Sequence, residues 1–239
     1  MSDISDLQQL EKGRNQPWVR QAYKILERAH VSVEALFSAA DALDSARRQA
    51  NGSPKGRKSV SEVDILRSAI VLTSAGLDAS MKRLVGDVGR ELILKKGTVA
   101  RHNYEEYLKN EMAKPSASAS FRQAVLADNP REKLLSFYLA ERTKASFQGS
   151  SDLIGRVKKV LGISNDEVPD SVLKQLDPFF KARNKIVHDM DLNDTKTKSV
   201  ARVHRDSDTV AAQCNTVFGA AVLLIRGAAK ACWEAGGST

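Results

Sequence analysis

One arginine and one histidine stand close together in the segment 177–190, which reads Asp-Pro-Phe-Phe-Lys-Ala-Arg-Asn-Lys-Ile-Val-His-Asp-Met. Histidine can accept and donate protons near neutral pH, which suits general acid–base catalysis. Arginine is permanently charged, and its planar guanidinium matches the oxygens of a phosphate. The spacing of Arg183, Asn184 and His188 therefore indicates a candidate site for chemistry on a phosphate group.

The segment 177–190, called the motif helix below, is predicted to form a partly buried helix. Asp177 followed by Pro178 favours a helix start, with Asp177 as the cap. Asn184 and His188 are four residues apart and share a helix face, whereas Arg183 diverges from His188 by about 140° around the axis. Both side chains can serve one phosphate if the helix ends or bends after His188, or if two such helices meet in a dimer. The apolar residues expected to bury this helix are Phe179, Phe180, Ala182, Ile186, Val187 and Met190.

The run Arg-Asn-Lys-Ile-Val-His from Arg183 to His188 resembles the R-x4-H signature of the HEPN superfamily, and its RiboL-PSP branch has a similar Arg-Asn…His form. The resemblance covers the motif and the order of the long helices over about residues 16–235, but not the middle third. It implies an all-α, HEPN-like helical bundle and a metal-independent endoribonuclease acting as a homodimer. It also implies that His188 is the general base or acid, that Arg183 holds the phosphate, and that Asn184 orients either His188 or the phosphate.

Composition and apolar periodicity independently favour a single all-α domain over residues 1–239. Hydrophobic residues make up 42% of the chain and aromatic residues only 5%, which suits closely packed helices. Residues 1–15 are polar and expected to be frayed. The block 98–163 is interpreted as an insertion or lid of short helices. The predicted helices cover residues 17–49, 60–96, 103–113, 119–127, 131–141, 150–161 and 205–235.

Positive charge is concentrated around the motif. The formal net charge is +8, and nine basic or histidine side chains lie between Lys181 and Arg205. This density suits a polyanion, and the HEPN resemblance implies that the polyanion is RNA, with Lys181 and Lys185 binding its phosphate backbone. The basic loop 51–58 is interpreted as a solvated turn, in preference to a second phosphate contact.

Two further polar residues were weighed for a role. Asp78 interrupts the most apolar predicted helix, four residues after Ser74. It either supports Arg183 and His188 from nearby, or bonds to Ser74 or Lys82; the second interpretation is favoured because single helix faces often carry such local pairs. His102 lies in a polar context and is expected to be a surface residue.

Several chemistries lack a sequence signal. No CxxC pair, HExxH motif, phosphate-binding glycine loop or nucleophile elbow is present, so no metal and no cofactor are predicted. Cys214 and Cys232 are interpreted as buried thiols in a reducing cytoplasm. No signal peptide and no apolar run of about 20 residues were found, so no membrane partner is expected.

Three functions remain open. The first is an endoribonuclease with a toxin or antiviral defence role, controlled by an inhibitory or activating protein partner. The second is a non-catalytic HEPN-like module that binds RNA, a nucleotide or a protein. In the third, Arg183 pairs with Asp189 or another acid and His188 is a satisfied core residue. One histidine per chain cannot make both proton transfers of RNA cleavage, so the first function requires a dimer.

Overall fold

The described part of the protein is built from helices, with three long ones forming the bundle. A computed structural model describes residues 3–10, 17–51 and 59–236, and within these ranges the fold is all-α apart from one isolated β-bridge between Leu192 and Arg202. The all-α prediction is confirmed. The helices are α1 (Pro17–Asn51), α2 (Val60–Leu94), α3 (Val99–Met112), α4 (Ala119–Val125), α5 (Pro130–Thr143), α6 (Ser150–Asp152), a π-helical turn (Leu153–Lys158), α7 (Lys159–Leu161), α8 (Asp170–Lys174), α9 (Asp177–Asp189) and α10 (Ser207–Gly236).

Helix α2 lies at the centre of the bundle, as its continuous apolar sequence predicts. It contacts α1, α10, α9, α5, α3 and α7. It begins at a capping box, in which the Ser59 hydroxyl accepts from the Glu62 amide and the Glu62 carboxylate accepts from the Ser59 amide. Helix α1 approaches α2 closely at Gly76, where a Cβ atom would come within 2.2 Å of the Cβ of Ala29.

Helix α10 fills the other side of α2. Of the described helices, it alone is long and apolar enough to cross a membrane, with a mean hydropathy of 1.4. The expectation that no stretch of the chain reaches this length and composition is therefore wrong. Of that apolar stretch, 56% is buried inside the protein, because its residues pack against the other helices. A core helix in a bundle meets the same length and composition criteria as a membrane span.

The block 98–163 belongs to the same core as the long helices. Its predicted short helices are confirmed, and Leu135, Tyr138, Phe147, Leu153 and Val160 are buried in one cluster with α2. The block thus covers one side of α2, and a lid function for it stays a prediction.

Residues 3–10 pack against the bundle, and the expectation of fraying over residues 1–15 stays a prediction. Ile4 is buried, and the backbone amide of Ser5 donates to the Asn215 side chain at 3.0 Å. The buried His30 imidazole makes a 2.8 Å hydrogen bond with the Ser5 carbonyl. A single Ile in a polar segment does not predict burial. The position of residues 3–10 is fixed by contacts with residues far away in sequence. The basic loop 51–58, after its first residue, lies outside the described residues.

Candidate functional site

The motif helix forms as predicted, from Asp177 to Asp189, and packs on α2 and α10. Phe179, Phe180 and Ala182 are buried and fix one face of the helix against the core. Its start differs from the prediction: Asp177 does not cap the helix, and its carboxylate instead accepts a hydrogen bond from the Ser150 amide at 3.1 Å. The apolar face is also shorter than predicted.

The end of the apolar face is exposed. Val187 and Met190 are 44% and 64% exposed, respectively, although the end of the helix lies beside the first turns of α2. The helix stops at Met190, which adopts the left-handed conformation with φ of 50°. His188 therefore occupies the last turn and is exposed to solvent, so it is not a satisfied core histidine.

The solvent face of the motif helix borders an open groove. Asn184 and His188 both line it, which confirms that they share a face. Lys181 and Lys185 line the same groove, together with the carboxylates of Asp177 and Asp189. The opposite wall is the backbone turn at Gln148 and Gly149. The structure thus brings four of the predicted site residues to one surface.

Arg183 is held differently from the other site residues. It is half-buried and does not line the groove; its Nη1 donates to Oδ1 of Asn184 at 3.0 Å. Its Nε is buried without a hydrogen-bond partner among the described residues. No ion pair to Asp189 is present in the described ranges, so the purely structural interpretation through that pair is not supported.

Asp78 is engaged away from the motif. Its Oδ2 lies 2.8 Å from Nζ of Lys82, and its Oδ1 accepts from the Phe147 amide at 2.8 Å. The favoured pairing with Lys82 is confirmed, and neither carboxylate oxygen bonds to Arg183 or His188. Asp78 instead fixes the chain just before the groove wall, a contact that sequence spacing could not predict because it joins residues far apart in sequence.

A buried carboxylate that the sequence interpretation missed holds the exit of the motif helix. Asp191 is fully buried and accepts from Arg67 Nε at 2.8 Å and from Arg205 Nη2 at 2.6 Å. Burial acts to raise the pKa of Asp191, but the bonds from Arg205 and Arg67 outweigh it and hold the pKa below its usual range. The sequence around Asp191 is polar, so its burial follows from packing and has no local sequence signal.

Two of the arginines near the motif form ion pairs within the protein. Arg205 is occupied by Asp191, and Arg202 pairs with Asp64 at 2.8 Å. These two bases therefore brace the segment after the motif helix and are not available to a polyanion. Lys185 donates to the Asn193 carbonyl at 3.3 Å, which ties that segment to the groove. The positive charge is consequently more local than the sequence suggested.

The remaining candidates lie apart from the groove. His102 is exposed on α3, as expected. Cys214 and Cys232 are free and buried, and burial raises the pKa of each thiol to about 11. Thiols held protonated in this way are poor nucleophiles at neutral pH. Their predicted role as buried core residues is confirmed.

Comparisons with family models, with curated proteins and with solved structures gave no match to this chain.

Proposed function

We propose that the protein is a metal-independent endoribonuclease of HEPN-like type that acts on RNA as a homodimer in the cytoplasm. The observation that carries the proposal is the single groove lined by His188, Asn184, Lys181 and Lys185, on a helix that also holds Arg183. An exposed imidazole beside two lysines suits a phosphodiester whose neighbouring hydroxyl must lose a proton.

In the proposed reaction the imidazole of His188 removes the proton from a ribose 2′-hydroxyl. The 2′-oxygen attacks the adjacent phosphorus, and the bond from phosphorus to the 5′-oxygen breaks. A second acid gives its proton to that 5′-oxygen, so the products are a 2′,3′-cyclic phosphate and a 5′-hydroxyl. Positive groups around the phosphate stabilise the charge that develops there, which is usually the largest catalytic contribution.

Arg183 acts on the groove through Asn184 in a single chain. A guanidinium can only donate, so the Asn184 atom that it contacts is the amide oxygen. The amide nitrogen of Asn184 then keeps both of its hydrogens for a ligand in the groove. Arg183 is thus a positioning residue in this geometry, and its charge lies next to the phosphate site.

The second proton transfer requires a second copy of the chain. An apolar depression lies beside the motif helix, and Ile186 and Met190 of that helix belong to it together with Leu72 of α2. Its rim carries Arg202 and Asp64, which pair with each other. Ile186 and Met190 lie about 180° around the helix axis from Asn184 and His188, so a second copy seated in this depression leaves the groove uncovered. The second copy that supplies its His188 as the acid therefore has to face the groove itself.

The alternative is a non-catalytic module that binds RNA, a nucleotide or a protein. Two observations favour it: Arg183 does not line the groove, and Asp177 and Asp189 place acidic residues at its two ends.

Under the first proposal, a toxin or defence role follows from the HEPN resemblance. A basic ribonuclease in the cell requires control, so we propose an inhibitory or activating protein partner for it.

The two functions are separated by one assay. Purified protein is incubated with labelled RNA in EDTA, beside His188→Ala and Arg183→Ala. Under the proposal, wild type cleaves and His188→Ala loses at least about 100-fold in rate. His188 is exposed, so His188→Ala keeps its fold, which circular dichroism checks. Leu126→Ala, 85% exposed on another part of the surface, is the control and keeps wild-type activity. RNA that is bound and never cut by any form favours the binding module.

A further inference from the structure

The wall of the groove facing the motif helix is a turn fixed by tertiary contacts. The Arg156 guanidinium donates to the Ala145 and Ser146 carbonyls at 3.0 and 2.7 Å. The amide of Phe147 donates to Asp78 at 2.8 Å, and that of Gln148 donates to Asp152 at 2.9 Å. Arg156 lies in the π-helical turn and also stacks on the Phe147 ring at 4.6 Å. A π-helical turn inside a helix frequently marks a functional site.

Gln148 is the polar side chain that this rigid turn presents to the groove. Its backbone amide is occupied by Asp152, whereas its side-chain amide has no hydrogen-bond partner in the described part of the chain. The side chain is exposed, so it needs no partner for stability. A side-chain amide carries two hydrogen-bond donors and one acceptor oxygen with two lone pairs. It can therefore form hydrogen bonds with the edge of a nucleobase.

Charge along the groove separates a phosphate region from a base region. Lys181 and Lys185 lie midway along the groove, between Asp189 at the end next to His188 and Asp177 at the end next to Gln148, where the Ser150 amide holds the Asp177 carboxylate. Asp177 and His188 are eleven residues apart, which is about 16 Å along a helix. A phosphate is repelled by the carboxylates and attracted by the lysines, whereas an uncharged base is affected by neither. A strand lying in the groove therefore has its phosphate at the lysines, beside His188, and a base at Gln148.

We infer that Gln148 is a specificity-determining residue, which recognises by hydrogen bonds the base of one nucleotide flanking the scissile phosphate. The inference rests on the proposed function for its substrate class. Because single-stranded bases expose their hydrogen-bonding edges, the substrate at this position is an unpaired nucleotide. The preference is confined to one position in the sequence, since Gln148 is a single fixed reader and the lysines contact only the backbone.

The test uses a short random-sequence RNA pool and the full-length protein. RNA retained by wild type, Gln148→Ala, Lys181→Ala and Gln123→Ala is sequenced, and the ends produced by cleavage in EDTA are sequenced in parallel. Gln123 is an exposed glutamine on α4, outside the groove, and serves as the matched control. We expect wild type and Gln123→Ala to enrich one base at one position by about tenfold, the discrimination that a satisfied base contact provides.

The variants give distinct outcomes. Gln148→Ala is expected to lose that enrichment while retaining a similar total amount of RNA. Lys181→Ala is expected to retain less RNA with the enrichment unchanged. Equal enrichment by wild type and Gln148→Ala overturns the inference and leaves the ribonuclease proposal standing. Sequence-selective retention that depends on Gln148, with no cleaved ends, supports the base reader and contradicts the ribonuclease. A wild type that retains no RNA overturns both.

Discussion

Nη1 of Arg183 donates a 3.0 Å hydrogen bond to Oδ1 of Asn184, the next residue of the motif helix. Asn184 lines the groove and Arg183 does not, so the pair connects a half-buried charge to the surface where a ligand would lie. Arg183 and His188 point in different directions from the helix, as their spacing predicts. Asn184 links them, because it accepts a hydrogen bond from Arg183 and lines the groove beside His188.

Replacing Asn184 separates the role of the amide from that of the charge. We expect Asn184→Ala to lower the rate of RNA cleavage about 100-fold, because the phosphate is no longer oriented and small misplacements are costly. Unfolding in urea should show a loss of only about 1 kcal/mol, the value of one hydrogen bond. Asn184→Asp keeps the acceptor for Arg183 but adds a negative charge, so it should weaken RNA binding more than Asn184→Ala does. Equal cleavage by all three forms contradicts this role.

Lysines of the groove should determine the salt dependence of RNA binding. For single strands, each phosphate contact contributes about 0.7 to the slope of log affinity against log salt concentration. Lys181→Ala and Lys185→Ala should each reduce that slope by about this amount, measured by fluorescence anisotropy. Lys24→Ala, exposed on α1, is the matched control and should leave the slope unchanged. A control that changes the slope as much as the groove variants would show that charge, and not the groove, binds RNA.

The apolar depression beside the motif helix should hold a second copy of the chain. Met190 is 64% exposed there. Met190→Glu would bury an unpaired charge in the apolar interface, which is costly. We expect light scattering to show a dimer for wild type and a monomer for Met190→Glu. Because Met190 lies on the side of the helix away from His188, this interface does not itself complete the groove. Leu126→Glu, at the 85% exposed apolar position that follows α4, should stay dimeric. A wild type that is a monomer at every concentration rules out the composite site.

Buried Asp191 should contribute strongly to the free energy of unfolding. Asp191→Asn leaves Arg205 without its counter-charge and Arg67 with only the more exposed Asp64, and breaking such a buried pair costs about 3–5 kcal/mol. Asparagine tolerates the left-handed backbone at this position, where φ is 59°, so the loss is electrostatic. Asp44→Asn removes a half-buried ion-paired carboxylate on α1 and is the control, with a loss below about 1 kcal/mol.

The pH dependence of that stability has a definite sign. The pKa of Asp191 lies below its usual range in the folded chain, so its contribution is complete above the unfolded-state pKa and is lost as pH falls through the folded-state pKa. Urea unfolding between pH 7 and pH 2 should show this loss for wild type. In Asp191→Asn the fall on acidification should be smaller by the same amount. Parallel curves for the two proteins would contradict the assignment.

Local periodicity determined which segments of this chain are helical. Apolar residues at helical spacing, the capping box at Ser59 and Glu62, and the Asp-Pro start fixed helix positions to within a few residues, because these signals act over one or two turns. The same local geometry placed Asn184 and His188 on one face. The Asp177 cap was wrong because the Ser150 amide, distant in sequence, binds that carboxylate.

The tertiary structure alone decided which distant residues meet. Arg67 reaches Asp191, and Asp78 reaches the Phe147 amide, through pairings across 124 and 69 residues. Such contacts depend on how whole helices pack, and any of the chain's many charged residues could satisfy them in a different arrangement. The sequence therefore determined the helices and the chemistry on the motif helix. Packing determined the opposite wall of the groove, the burial of Arg183 and the anchoring of the helix exit, since these follow from long-range contacts that no short window of sequence contains.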